Sequence, residues 1–259
     1  LTDRMGFWLD LKNPYITYES PYIESLWWII AQFWKKKLLY TGHKVVHWCP
    51  RCETSLSTHE LAQGYKEVTE QSVYVKFKLK SQSFKVSKFQ SLKGDIYILS
   101  WTTTPWTLPG NVGLAVGEDI EYRIVTVTRG DYEGEKYIIA TNRIADTLRD
   151  SGVVVEGVKL GGGDFSGALD IGQAIKGKEL VGLEYEQLFD VKELRNEKSH
   201  RIYAADFVNT EDGTGVVHTA VMYGEDDYWL CKEEGLPLIH TVGEDGKFNS
   251  LVKKWAGMF

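Results

Sequence analysis

Val73-Tyr74-Val75-Lys76-Phe77-Lys78-Leu79-Lys80 puts an apolar residue at every second position. Successive strand side chains point to opposite faces, so Val73, Val75, Phe77 and Leu79 share one face and Tyr74, Lys76, Lys78 and Lys80 the other. The stretch reads as a half-buried strand with a solvated basic face. Its lysines have two readings, an RNA contact or a guarded sheet edge, and edge strands commonly carry lysine against stray pairing. Further strand candidates follow at 95–101, 112–116, 122–128, 136–140, 153–158, 202–208 and 216–222, with helices at 142–149 and 226–234. Many strands with few short helices predict an α+β chain, β-rich and barrel-like, without regular βαβ alternation.

Upstream the period is helical. Ser20 is a candidate N-cap and Pro21 suits the first helical position. Ile23, Leu26, Trp27, Ile30 and Trp34 then recur at helix spacing, Lys35, Lys36 and Lys37 sit in the last turn, and Gly42 follows. The wide apolar face of Trp27, Trp28, Ile29, Ile30 and Phe33 predicts burial on more than one side. Five of the nine Trp precede residue 50, which suggests a surface meant to be covered.

Composition excludes several classes. At 259 residues, 43% apolar and 25% charged, the chain is neither disordered nor low-complexity, and it is long enough to bury a sizeable core. No apolar run reaches the roughly 18 residues that cross a bilayer, and no secretory signal is visible near Leu1, so a cytoplasmic setting is expected. Three cysteines do not make a disulfide framework. Residues 1–90 carry 13 basic and 8 acidic side chains and the remainder 17 and 28. Phosphate neutralisation along a whole surface needs clustered cations, so any nucleic-acid contact is a small one, such as a strand end entering a pocket.

Three stretches carry candidate chemistry. Cys49-Pro50-Arg51-Cys52 is half of a tetrahedral zinc site. It is completed by residues outside the chain, or locally by His43, His47 or His59, or it is inert; a redox role lacks its βαβ context. Trp101-Thr102-Thr103-Thr104-Pro105-Trp106-Thr107-Leu108-Pro109-Gly110-Asn111 follows a strand. Its hydroxyls can hold a water, a carbonyl or a ribose hydroxyl, or can bond the loop's own backbone. The third runs from Asp212-Gly213-Thr214-Gly215 through His218 to Gly224-Glu225-Asp226-Asp227-Tyr228. Asp226 and Asp227 either cap a helix or turn one carboxylate into a pocket to meet a cation. A lone strand histidine such as His218 is more often structural than catalytic. Gly161-Gly162-Gly163 fails the phosphate-loop spacing, because Ser166 stands where the third Gly belongs, and reads as a surface loop.

W-T-T-T-P-W-T-L-P-G-N (101–111), together with G-T-G-V-V-H-T-A (213–220) and G-E-D-D-Y (224–228), closely resembles the editing domain of the isoleucyl-tRNA synthetases. N-P-Y-I-T-Y-E-S-P-Y-I-E-S-L-W-W (13–28) and W-C-P-R-C-E-T-S-L-S-T-H-E-L (48–61) agree with it. The leucyl and valyl relatives have a T-T-R-P version, so Thr104 and Trp106 favour the isoleucyl branch. One position departs: the family has H-T-A-P, and Val221 follows Ala220 here.

The resemblance implies a connective insertion of a larger enzyme, since no H-I-G-H-type or K-M-S-K-S-type signature is present. It implies a stem at 1–60, an editing core at 61–243 and a returning stem at 244–259. The implied reaction is hydrolysis of the ester of valyl-tRNA(Ile), with valine as the rejected amino acid. By that resemblance Asp227 binds the α-ammonium, and Thr102, Thr103, Thr104 and Thr107 hold the terminal adenosine, carbonyl and attacking water. Trp101 and Asn111 shape the pocket, and His218 limits side-chain size. No general base is evident, and no cofactor is implied for editing; ATP belongs to the full-length enzyme and zinc to Cys49 and Cys52. The implied partners are the aminoacylated 3′ end of tRNA(Ile) and the rest of the synthetase, with no membrane and a monomeric state. Two other classes stay open: a module that binds the tRNA 3′ end without hydrolysis, and a zinc-stabilised scaffold.

Overall fold

The computed structural model describes residues 1–84, 89, 94–129, 131–150 and 169–259. The strand expected at 153–158 and the loop at Gly161-Gly162-Gly163 lie outside them. Two compact units result, Leu1–Lys44 and Val45–Phe259. Among the described residues no helix is long and apolar enough to cross a membrane.

In the first unit helix α1 spans Ser20–Lys35 with Pro21 in its first turn. The N-cap is Glu19 and not Ser20, because the Glu19 carbonyl already accepts from the Tyr22 and Ile23 amides. The helix ends well before Gly42. Lys37 takes the left-handed conformation at φ 55°, and Leu38 N–H reaches back to the Phe33 carbonyl at 3.0 Å, a closing turn in which glycine more commonly sits. The sequence predicts burial of the Trp-rich face, yet no residue of α1 is buried. The unit holds one long helix and no second element of comparable length to cover it.

The second unit begins with strands β1 (His47–Cys49) and β2 (Thr54–Leu56), which pair as a short hairpin. Helix α2 (Thr58–Ala62) follows, started by a capping box in which Ser57 and Glu60 satisfy each other's amides. Next come β3 (Val73–Lys78), β4 (Ile96–Thr102), β5 (Gly113–Val116), β6 (Glu121–Val127), β7 (Lys136–Ala140), α3 (Ile144–Asp150), β8 (Leu169–Lys176) and α4 (Gly177–Leu180). β9 (Arg201–Ala204), β10 (Val216–Thr219) and α5 (Glu225–Glu234) complete it.

These strands build a five-stranded mixed sheet, β3-β4-β7-β6-β8, and a three-stranded one, β10-β5-β9. The fold class is α+β, as the patterning predicts. Among the described residues the strands form open sheets and not one closed barrel. The two larger sheets meet at their margins through isolated bridges, Leu79 with Tyr185 and Glu184 with Arg201.

Strand alternation sets the layers. Phe77, Ile96, Ile98, Leu114, Val116, Ile124, Ile138, Ile202 and Val216 fill one core between the sheets. Their neighbours Leu99, Val125 and Ile139 turn to the outer face of the larger sheet and pack on Ile144 and Leu148 of α3. On the smaller sheet Ala115 and Tyr203 turn outward onto Leu230 and Cys231 of α5. β3 is an edge strand, and its lysines face acids: Lys76 meets Glu135 at 2.8 Å and Lys78 meets Asp95 at 2.8 Å. That is the guarded, solvated edge.

β9 and β10 are shorter than the expected 202–208 and 216–222. Val208 N–H closes onto the Ala205 carbonyl, and Tyr223 N–H onto the Ala220 carbonyl, so both ends turn away. β8 escapes the pattern because Gly172 interrupts its apolar residues beside the β6 irregularity at Arg123/Val125.

Gly177 lies against backbone: a Cβ there would sit 2.0 Å from the Gly117 carbonyl oxygen. Gly177→Ala is therefore expected to cost about 3 kcal/mol or more in urea unfolding. Gly64→Ala, whose nearest contact would be an ordinary 3.5 Å, is expected to change stability by less than about 1 kcal/mol. Equal midpoints for the two variants would contradict this packing.

Candidate functional site

The site grows from one register. β5 and β10 run antiparallel with Gly113 opposite Thr219. The threonine loop enters β5 at that end and the segment toward α5 leaves β10 there. Between Thr102 and β5 the chain makes a 3₁₀ helix, Pro105–Gly110, in which Thr107 through Gly110 are buried.

The loop's hydroxyls partly serve its own backbone. Thr104 N–H donates to Thr102 Oγ1 at 3.0 Å, and Thr107 Oγ1–H donates to the Thr104 carbonyl at 2.8 Å. Thr102 Oγ1 and Thr104 Oγ1 lie 3.2 Å apart. Thr103 is exposed and makes no hydrogen bond among the described residues.

His218 is the hub. Its Nε2 is 2.9 Å from Thr107 Oγ1 and its Nδ1 2.9 Å from Asn111 Nδ2. Asn111 Nδ2 also donates to the Gly113 carbonyl, and Asn111 Oδ1 accepts from Tyr185 O–H at 2.6 Å. One arrangement of protons satisfies every contact. Tyr185 donates to Asn111, Asn111 to Nδ1, Nε2–H to Thr107, and Thr107 to the Thr104 carbonyl. That arrangement requires a neutral imidazole. Burial favours it, pushing the His218 pKa down to about 4. Both ring nitrogens are engaged, so His218 holds the wall in place and has no lone pair left to act as a base.

Asp227 stands in the first turn of α5, whose N-cap Gly224 receives no side-chain cap bond. Its carboxylate folds back over Gly224: a Cβ at that glycine would lie 2.8 Å from Asp227 Oδ2. Burial is the main cause that raises its pKa to about 7, with the Ala220 amide opposing and Asp226 adding. A carboxylate this reluctant to ionise gains from a cation.

Three residues that the sequence leaves unmarked complete the neighbourhood. Tyr223 stacks edge-on to Trp106 at 5.0 Å, and its hydroxyl meets Thr241 Oγ1 at 2.8 Å and the Thr241 and Val242 amides. Tyr185 anchors Asn111 from another segment. Isolated aromatic or threonine residues carry no spacing signal, so only the fold finds them.

Trp101 is placed apart from the His218 hub. It alternates with Thr102 on β4 and lines a separate hollow with Phe207, Asn209 and the Gly213–Val217 stretch. Cys49 and Cys52 come together across the β1–β2 turn. The hydrogen bonds Cys49 receives from Cys52 lower its pKa, and the same pairing raises that of Cys52. Among the described residues no group of three or more His, Cys, Asp or Glu gathers. Completion by His43, His47 or His59 is thus not what the structure forms, and two thiols alone do not close a tetrahedral zinc site.

Residues 1–241 match the family model for class I tRNA synthetases (I, L, M and V). The whole chain is similar to isoleucine–tRNA ligases, 43% identical to that of Clostridium tetani and 44% to that of Clostridium novyi. It spans 22% of the length of each. Among solved structures it is similar to the cytosolic leucyl-tRNA synthetase editing domain of P. knowlesi, at TM-score 0.45 and 22% identity over 64% of this chain and 63% of that one. The corresponding P. falciparum domain gives TM-score 0.43 and 14% identity over 62% and 64%.

The hub makes a specific prediction. In a ¹⁵N-resolved titration His218 should remain neutral, as the Nε2–H tautomer, down to about pH 5. A depressed histidine value means that the unfolded chain takes the proton first, so this group withdraws stability as pH falls from about 6.5 toward 4. Asp227 acts oppositely: its raised value lets the native state take a proton below about 7, adding stability on acidification. The site-resolved titration separates them. A His218 midpoint near 6.5, or an Nδ1–H tautomer, would contradict the bonded chain.

Proposed function

The chain belongs to the class I tRNA synthetases of the I, L, M and V group, and on that premise we propose that it is an editing domain. Its reaction is hydrolysis of the ester that joins valine to tRNA(Ile). The single observation that carries this reading is the meeting of the threonine loop and the segment toward α5 at the Gly113–Thr219 end of β5 and β10, with Asp227 desolvated in the one and Thr103 exposed in the other. The likeness over its full length to isoleucine–tRNA ligases supports the isoleucyl branch.

Editing is needed because apolar pockets discriminate poorly. With isoleucine against valine as the familiar case, one missing methylene separates substrates by only about 1–3 kcal/mol. A second site that admits valine and rejects isoleucine by size corrects the error. Asp227 takes the α-ammonium of the aminoacyl group. Thr103, with Thr102 and Thr104, holds a water and the ester carbonyl, and the Thr107–His218–Asn111 wall limits the side chain. Trp101 shapes the surround from the neighbouring hollow. The water oxygen attacks the ester carbon, the carbon–oxygen bond to the ribose breaks, and the departing hydroxyl keeps the proton released by the water. With no side-chain base, rate comes from position, which can supply several kcal/mol.

The remaining synthetase and the 3′ aminoacyl end of tRNA(Ile) are the partners. The synthetase supplies the rest of the zinc site begun by Cys49 and Cys52, and with it the ATP-dependent chemistry.

Deacylation of valyl-tRNA(Ile) by the chain tests the reading. Asp227→Ala is expected to lower kcat/KM by about 100-fold or more, mainly through KM. Wild-type KM should fall as pH rises through about 7 while Asp227 ionises, and that dependence should vanish in Asp227→Asn. Thr103→Val should lose most of kcat. Binding of the aminoacylated end without hydrolysis, or full deacylation by Thr103→Val, would overturn the assignment.

A further inference from the structure

Tyr223 sits where three segments of the second unit converge. It stands immediately before Gly224, the N-cap of α5, and its amide closes a turn onto the Ala220 carbonyl just past β10. Its ring lies edge-on to Trp106 of the threonine loop at 5.0 Å. Gly110 ends that loop's 3₁₀ helix and comes against the same ring. A Cβ at Gly110 would lie 3.2 Å from Tyr223 Cε2 and 3.2 Å from Thr241 Oγ1. Only a residue without a Cβ lets the loop approach both without crowding them.

The hydroxyl is fully engaged. Tyr223 Oη accepts from the Thr241 amide at 2.8 Å and from the Val242 amide at 2.9 Å. A phenol oxygen has two lone pairs and one proton, so in the third contact, 2.8 Å to Thr241 Oγ1, it donates. Thr241 is buried, and its carbonyl accepts from the Asn249 amide at 3.0 Å, so the segment that Tyr223 grips is itself tied back. The Tyr223 hydroxyl therefore has no donor or acceptor left for a substrate, and its role is placement.

The group it places is four residues on. Gly224 follows Tyr223, and the Asp227 carboxylate lies so close over it that a Cβ at Gly224 would sit 2.8 Å from Asp227 Oδ2. The same carboxylate takes a hydrogen bond from the Ala220 amide, and Ala220 is the residue whose carbonyl closes the Tyr223 turn. Ala220, Tyr223 and Gly224 thus frame the carboxylate. Through Tyr223 that frame is joined to Trp106 and Gly110 on one side and to Thr241 and Val242 on the other.

We propose that Tyr223 is a positioning residue of the site: its clasp on Thr241 and Val242 and its ring contact with Trp106 hold the Asp227 carboxylate in place relative to the threonine loop. The kinetic consequence rests on the editing reading above; the placement of the carboxylate does not.

The kinetic arm compares Tyr223→Phe, Asp227→Asn and the double variant in deacylation of valyl-tRNA(Ile) by the whole chain. Tyr223→Phe keeps the ring and loses the three hydroxyl bonds. It is expected to raise KM by about tenfold with kcat changed by less than about twofold. The double variant should be no worse than Asp227→Asn, because a carboxylate already removed has no place to lose. Gly110→Ala, which crowds Tyr223 and Thr241 from the loop side, should reproduce the rise in KM. A merely structural tyrosine would lower the active fraction, leave KM unchanged and multiply with Asp227→Asn, and that pattern would overturn the proposal.

The second arm reads the Asp227 carboxyl carbon by NMR across a pH titration of wild type and Tyr223→Phe. Burial is the larger cause of its raised value, so a loosened frame that admits water should bring the midpoint down from about 7 toward the ordinary carboxylate range. Asp226 and the Cys231 thiol, the titratable groups beside it, are the same in both proteins. An unmoved midpoint would overturn the proposal whether or not the chain deacylates. Absence of deacylation by the wild type would sink the editing reading and leave this titration to decide the role of Tyr223.

Discussion

The candidate site depends on one neutral imidazole. His218 is bonded on both sides, to Thr107 and to Asn111, and through them to the threonine loop and to Tyr185. The threonine loop and Tyr185, far apart in sequence, are thereby fixed to one ring on β10. The ring stays uncharged because burial makes the charged form costly and because Asn111 offers a donor to Nδ1. A protonated ring would set its new Nδ1–H against the Asn111 amide donor and release Asn111, while Nε2–H would still donate to Thr107.

That ring is held in place by sheet geometry. The shared core between the sheets fixes β5 and β10, and their register brings the end of the threonine loop opposite the exit toward α5. Hydrogen bonds from Ser100 Oγ to the Val216 carbonyl and from Thr214 Oγ1 to the Leu99 carbonyl tie β4 to β10 across the gap where a closed barrel would have a ladder. The sheets remain open and margin-linked.

Much of this was legible in the residues. The alternation from Val73 to Lys80 gives β3 its buried face, and the edge position accounts for the lysines. The Thr102–Asn111 run and the Gly224–Tyr228 run stand out because small polar residues and glycines cluster where packing alone has no use for them. The illegible parts share a cause. Tyr185, Tyr223 and Thr241 act through contacts distant in sequence, and one residue carries no period. β8 has Gly172 in its middle, and α1 carries an apolar face that its own unit leaves exposed. Asp227 was ambiguous between cap and pocket. The structure keeps both readings: the carboxylate folds back over the N-cap Gly224, and burial raises its pKa to about 7.

The proposed chemistry is economical: a size-limiting wall, a carboxylate that takes a cation, and exposed hydroxyls to orient a water, with no base among them. Position alone is then the source of rate. A structure of the chain with a non-hydrolysable valyl-adenosine analogue tests this most directly. The account predicts the analogue's ammonium within about 3 Å of an Asp227 oxygen, the ester mimic against Thr102–Thr104, and the side chain facing the Thr107–His218 wall. An analogue seated elsewhere, or an Asp227 carboxylate turned away from the ammonium, would contradict it.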